Sequence, residues 1–246
     1  MNFFFSFFLI FLGEYKRLAK KDEVKTTEPK KKAPKVEEEI DTSKFTEVDE
    51  TRAPLNIVFI GHVDAGKSTI CGSILLLTGR VDKNELRKLE LEAKEKKRES
   101  WYLAYIMDTN EEERSKGKTV EVGKAHFTTK TKRFTILDAP GHKNYVPNMI
   151  AGASQADYAA LVISSKTGEF ESGFEKGGQS KEHAMLAKSL GVLKLIVVIN
   201  KMDEDNWNQP RFDYIKEKMS PFLSTSCGFD LEKDVSWVPI SGINIL

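Results

Sequence analysis

Several features that mark whole protein classes are scarce in this chain. Cysteine occurs twice in 246 residues, at Cys71 and Cys227. Two are too few for a disulfide framework, and neither stands in a metal-ligand spacing with histidine or another cysteine, so two reduced thiols are expected. An excess of one charge is also missing, with 38 Lys and Arg against 37 Asp and Glu. Bulk electrostatics therefore gives no case for DNA, and any nucleic-acid partner would have to be met locally. The apolar start, MNFFFSFFLIFL, is shorter than the roughly 20 residues of a membrane span. It also lacks the preceding basic residues and the cleavage site of a signal peptide. Residues 1–13 are expected to be an unstructured apolar segment, with a membrane tether as the weaker reading.

Aromatic residues are nearly absent from residues 14–52, where Lys and Glu dominate and Pro29 and Pro34 interrupt. Such a stretch cannot bury enough surface to offset its ordering entropy, so a charged disordered linker is expected. The acidic block Glu37-Glu38-Glu39 argues against a basic RNA-binding arm. Residues 53–246 carry the folded part.

What is abundant there is phosphate-loop chemistry. The stretch GHVDAGKST fits G-x-x-x-x-G-K-[ST], with Gly61, Gly66, Lys67 and Ser68 in place directly after the apolar run 55–60. A buried strand feeding a glycine-rich turn and then a helix lets backbone amides converge on a phosphate chain. Asp64, Ala65, Gly66, Lys67, Ser68 and Thr69 are the candidate binding residues. Lys67 can supply charge to the β- and γ-phosphates, and the Ser68 hydroxyl is a natural Mg²⁺ ligand.

Further loops follow apolar strand runs. Asp138-Ala139-Pro140-Gly141 places a carboxylate for Mg²⁺ and a Gly141 amide for a terminal phosphate. Asn200-Lys201-Met202-Asp203 turns the reading from nucleotide to guanine nucleotide. Asp203 can accept from guanine N1–H and its exocyclic amine, whereas adenine offers a lone pair at N1. Asn200 can hold the base and neighbouring loops, and the Lys201 stem can lie along the ring face. Ser241-Gly242 can offer amides to guanine O6. Thr119, at the end of residues 114–119, can complete a Mg²⁺ shell when a γ-phosphate is present, which makes its loop a switch.

Strand runs at 120–129, 133–137, 158–164, 195–200 and 235–240 alternate with helical patterns at 70–77, 85–99, 180–190 and 212–223. This order predicts an α/β fold, a mostly parallel doubly wound sheet flanked by helices, with ligands at the carboxyl ends of its strands. In the charged helix 85–99, Leu86, Leu89 and Leu91 are the expected apolar anchors.

Taken together, the loops resemble the GTPase domain of translational GTPases. GHVDAGKST, DAPGHKNYVPNMIAGASQAD, GEFESGFEKGGQSKEHAMLAKSLGV and NKMD are similar to the branch holding elongation factor 1-alpha, the ribosome-rescue GTPase and eukaryotic release factor 3. SWYLAYIMDTNEEERSKGKTVEVGKAHF is most similar to the release-factor family, over about residues 54–241. The resemblance implies a P-loop GTPase domain that binds GTP or GDP with Mg²⁺. It implies ribosome-stimulated hydrolysis in the cytoplasm, and partnership in translation termination with the ribosome and a tRNA-mimicking release factor. It makes His142 the catalytic histidine, flanked by Val63 as an apolar gate. Lys118 stands where the elongation factor has an aliphatic residue, which leaves that gate incomplete. The reading of His142 as a surface cap of the following helix fits its neighbours less well. His62, His126 and His183 receive packing or surface readings. Family members add a last helix and two β-barrels that hold the partner. Here the final helix is expected to be missing or truncated and the barrels absent, leaving an exposed apolar flank beside the last strand. The alternative functions are a guanine-nucleotide-binding module with negligible turnover, or a related elongation or ribosome-rescue GTPase.

Overall fold

The computed structural model describes residues 52–108, 119–129, 131–175 and 178–243. The apolar start, the charged linker up to residue 51 and the switch residues 114–118, with Lys118, lie outside the described residues.

Six strands form one sheet in the order β2-β3-β1-β4-β5-β6. They are β1 (Ala53–Gly61), β2 (Gly123–Thr128), β3 (Lys132–Asp138), β4 (Tyr158–Ser164), β5 (Lys194–Asn200) and β6 (Val235–Pro239). Among the described residues, only β2 runs antiparallel, against β3. The others are parallel, as crossovers through helices require. Register aligns the functional ends: Phe59 pairs with Asp138, Gly61 with Val162, Ser164 with Asn200, and Ile199 with Pro239. The loops after β1, β3, β4, β5 and β6 therefore leave from one edge, the ligand-binding edge of an open α/β sheet.

The central strands β4 and β5 read as continuous apolar runs because both their faces are covered. Val58, Ile60, Leu161, Ile163, Val197 and Ile199 face one core. This core also contains Met149 of α4 (Val146–Ala153), Ala184 of α5 (Gln179–Ser189) and Ile215 of α6 (Gln209–Pro221). Ile57, Phe59, Ala160, Val162, Ile196 and Val198 face the other, with Ile70 and Leu75 of α1 (Lys67–Leu77). The alternation is the two-residue period of a strand read on its two sides.

The charged helix is α2 (Lys83–Glu95), capped by Asp82, whose carboxylate accepts from the Asn84 amide. Leu89 and Ala93 are its buried anchors, packed with Tyr105 of the short helix α3 (Tyr102–Tyr105). Leu91 is 62% exposed, contrary to the expectation that it anchors the helix. Two residues on from Leu89 it lies about 200° round the helix, so it cannot share that face. Helix α6 starts earlier than its apolar pattern suggests, because Asn208 caps it and Pro210 fits the first turn.

Of the apolar flank expected beside the last strand, the described residues leave Ile243 50% exposed. Val238 and Ile240 are buried, as are Ile196 and Val198, in the same cluster as Ile70 and Leu75.

Candidate functional site

The phosphate loop is shaped by three residues with positive φ, the first being Gly61 at 136°. Gly66 caps α1 in the left-handed conformation, at φ 95°, and Asp64 adopts φ 60°. A Cβ on Gly66 would run into the Asn200 side-chain amide, so glycine is required there twice over, for backbone and for space. Helix α1 then presents its first amides toward the loop.

Lys67 is buried and folds back along this loop, its Nζ donating to the carbonyls of Gly61 at 3.1 Å and His62 at 2.9 Å. Burial pulls its pKa below the ordinary lysine value, and the charges of Asp138 and Asp64 oppose that pull. Gly141 packs closely on the Lys67 amine, the Gly61 carbonyl and the Val63 amide, an approach that a side chain would block. The loop after β3 thus rests directly on the phosphate loop.

Ser68 and Thr119 come from segments 51 residues apart, yet their hydroxyl oxygens lie 3.1 Å from each other. Asp138, the last residue of β3, is fully buried, and its charge acts on both Lys67 and Cys71. Among the described residues no group of three or more His, Cys, Asp or Glu could hold a metal by itself. Two hydroxyls and one carboxylate are hard oxygen donors that suit Mg²⁺, which keeps waters and takes phosphate oxygens for the rest of its shell.

Asn200 ties the loop after β5 to the phosphate loop. Its Nδ2 donates to the Ala65 carbonyl at 2.8 Å and its Oδ1 accepts from the Gly242 amide at 2.8 Å. The Ser73 hydroxyl of α1 donates to the Gly242 carbonyl at 2.7 Å, so the Ser241-Gly242 loop is held from two directions. Lys201 sits at φ 63°, and Asp203 lies in the short turn that follows, Met202–Asp205.

These segments enclose one cavity of about 340 Å³. Its walls include Asp64, Gly66, Lys67, Ser68, Thr69, Thr119, Gly141, His142, Asn200, Lys201, Asp203, Ser241 and Gly242. Of the residues expected from sequence, Ala65 and Asp138 stand behind this wall. Ala65 lines a smaller cavity of about 150 Å³, and Asp138 is fully enclosed. Sequence reasoning missed Trp101, Ala104 and Asp108, which also line the main cavity. They sit on α3 and its flanks, and no spacing rule links them to the phosphate loop.

His142 lines the cavity and also caps a turn, its Nδ1 accepting from the Asn144 amide at 3.2 Å. The capping reading set aside on sequence grounds is therefore present in the structure. An acceptor at Nδ1 puts the proton of the neutral ring on Nε2. His183 is fully buried, and its Nδ1 accepts from the Gly61 amide at 3.1 Å. Burial, with Lys67 and His62 nearby, lowers its pKa to about 3. This is the packing role expected of it, placed directly under the phosphate loop.

Comparison with known proteins follows the same lines. The "Eukaryotic peptide chain release factor GTP-binding subunit" of Dictyostelium discoideum is 60% identical over 200 residues, which cover 80% of this chain and 36% of that protein. The protein of that name from Schizosaccharomyces pombe is 58% identical over 189 residues, covering 76% of this chain and 28% of the relative. The chain thus spans about a third of the length of these curated relatives. Among solved structures, Sup35 complexed with GDP aligns with a TM-score of 0.56 at 38% identity, over 82% of this chain and 41% of that one. The Saccharomyces cerevisiae Ski7 GTPase-like domain bound to GTP shares the fold, with a TM-score of 0.70 at 22% identity over 78% of this chain and 43% of its own. The description "Elongation factor Tu GTP binding domain" matches residues 52–246, more than half of the chain. On that match, the chain belongs to the Elongation factor Tu GTP binding domain family.

Proposed function

We propose that this chain binds GTP and GDP with Mg²⁺, hydrolyses GTP when the ribosome orders its switch segments, and serves eukaryotic translation termination as a GTP-binding subunit. Its partners are the ribosome and a tRNA-mimicking release factor, and its compartment is the cytoplasm. The observation that carries the reading is the meeting of Lys67, Ser68, Thr119, His142, Asn200 and Asp203 on one cavity. The release-factor relatives supply the biological setting.

Each residue has a task that its chemistry allows. The amides of residues 64–69 and the Lys67 ammonium bind the phosphate chain. Ser68, Thr119 and Asp138 would hold Mg²⁺, which when bound offsets charge on the phosphate oxygens. Asp203 reads the guanine edge, and Asn200 keeps the base loop against the phosphate loop. His142 carries its proton on Nε2, so it acts as a donor that orients water and steadies developing charge rather than as a base. Turnover by the isolated chain is slow in this reading, and the ribosome supplies the ordering that speeds it.

Single-turnover GTP hydrolysis with and without ribosomes and the release factor tests this. His142→Ala should leave GTP affinity within about twofold while slowing ribosome-stimulated hydrolysis by about 100-fold, the usual loss for one such donor. Equal loss of affinity and rate would remove His142 from the chemistry, and absence of ribosome stimulation would remove the termination role.

A further inference from the structure

We propose that Glu169 is a positioning residue for base recognition, fixing the Lys201 side chain as one wall of the guanine slot. The inference rests on the assignment of the 200–203 loop to the base and extends it to a residue outside every nucleotide-binding motif.

Lys201 begins from a left-handed backbone, φ 63° and ψ 28°, which few residues other than glycine adopt. That turn takes its side chain off the β5 direction, so something outside the loop must decide where the long stem lies. Glu169 does so: its Oε2 accepts from Lys201 Nζ at 2.7 Å and from the Ser164 hydroxyl at 2.7 Å. Ser164 ends β4 and pairs in register with Asn200, the residue before Lys201. One carboxylate oxygen thus joins the ends of two neighbouring strands. Glu169 Oε1 also lies 3.8 Å from Lys166 Nζ, which reaches Glu204 at 3.0 Å in the turn that carries Asp203.

The segment bearing Glu169 is itself anchored. Arg211 of α6 donates through both terminal nitrogens to Glu171 at 3.0 Å and through Nε to the Ser165 carbonyl at 2.7 Å. Glu171 in turn accepts from the Gly168 amide. A guanidinium near a helix start, with two bonds to one oxygen of Glu171 and a third to Ser165, gives Glu169 a rigid base from which to hold a flexible lysine. With the ammonium parked on Glu169, the Lys201 stem lines the cavity beside Asn200 and Asp203. A lysine held in one rotamer gives up its ordering entropy before nucleotide arrives, so less is lost on binding. Partial burial pushes the Glu169 carboxyl up, and its bonds from Lys201 and Ser164 bring it below the ordinary carboxylate range, so it is ionised at neutral pH.

The test is a double-mutant cycle on the full chain, with GDP affinity and GDP dissociation rate as readouts. Glu169→Gln keeps the shape and loses the charge. It should weaken GDP binding about three- to fivefold, mainly through faster dissociation, as befits a partly exposed pair. Lys201→Ala should weaken it by about tenfold or more, and adding Glu169→Gln to Lys201→Ala should change nothing further. Losses that multiply in the double variant would overturn the role of Glu169 while leaving the base loop intact. GDP affinity unchanged by Lys201→Ala would instead overturn the base-loop assignment, and this inference with it. Ser164→Ala, which removes one hydroxyl, should give a loss of about twofold that also vanishes in the Lys201→Ala background. A loss that persisted there would count against the same coupling.

Discussion

The side-chain amide of Asn200 donates to the Ala65 carbonyl at 2.8 Å, across 135 residues of sequence. With the bond from Gly242 to its other end, this makes the base loop and the phosphate loop one unit before any ligand is present. Asn200→Ala should therefore cost stability in nucleotide-free protein, about 2 kcal/mol for two buried partners left without it. Asn200→Asp should cost at least as much, because its second oxygen would face the Ala65 carbonyl with no proton to share. Urea unfolding in the presence of a chelator measures both, and midpoints equal to the parent's would contradict the tie.

Gly66 offers a sharper test of the phosphate loop. Gly66→Ala places a Cβ against the Asn200 amide on a backbone at φ 95°. The strain, about 1–3 kcal/mol, falls on the nucleotide-binding conformation itself. GDP affinity measured by calorimetry should drop by at least about tenfold. Retention of full affinity would mean that the loop does not bind phosphate in the shape seen here.

Thr119 reports on the switch. Its hydroxyl lies 3.1 Å from that of Ser68, so both can reach one cation. Thr119→Ala should weaken binding of a non-hydrolysable GTP analogue by about tenfold in the presence of Mg²⁺, the loss of roughly 1.4 kcal/mol, and should leave GDP affinity nearly unchanged. Titration of both ligands with and without Mg²⁺ decides it, and equal losses for both would argue for a structural role alone.

His183 makes stability depend on pH. In the folded chain its pKa falls from 6.5 to about 3, because it is buried and lies near Lys67 and His62. Between those values the unfolded chain binds a proton that the folded chain refuses. The stability contributed by neutral His183 is thus complete above about pH 6.5 and is lost as pH falls toward 3. The slope is at most about 1.4 kcal/mol per pH unit for one proton. Urea midpoints between pH 7.5 and 5 should fall for the parent and fall less for His183→Gln. Parallel decline in both would remove His183 as the source.

How far the site could be read from the sequence differs from loop to loop, for physical reasons. Residues 61–69 and 200–203 are legible because local spacing sets their chemistry: glycines permit the turn, and the polar residues follow a buried strand. Their register on neighbouring strands follows from parallel pairing, which the alternation of apolar runs and helices implies. Leu91 was misplaced because apolar residues were counted without their angle round the helix. Asp108, Trp101 and Glu169 were invisible for another reason. Their positions depend on how α3 and the loop after β4 fold back over the sheet, and a contact such as Glu169 to Lys201 spans 32 residues with no local pattern to announce it.

The central claim is that one guanine nucleotide is gripped at tail, metal and base by loops from a single sheet edge. Calorimetric titration of the Asp203→Asn chain with GDP and with xanthosine diphosphate tests it most directly. The account predicts that preference turns from guanine to xanthine, since an amide donor now meets the carbonyl that xanthine has in place of the guanine amine. An Asp203→Asn chain that still prefers GDP as strongly as the parent would contradict it.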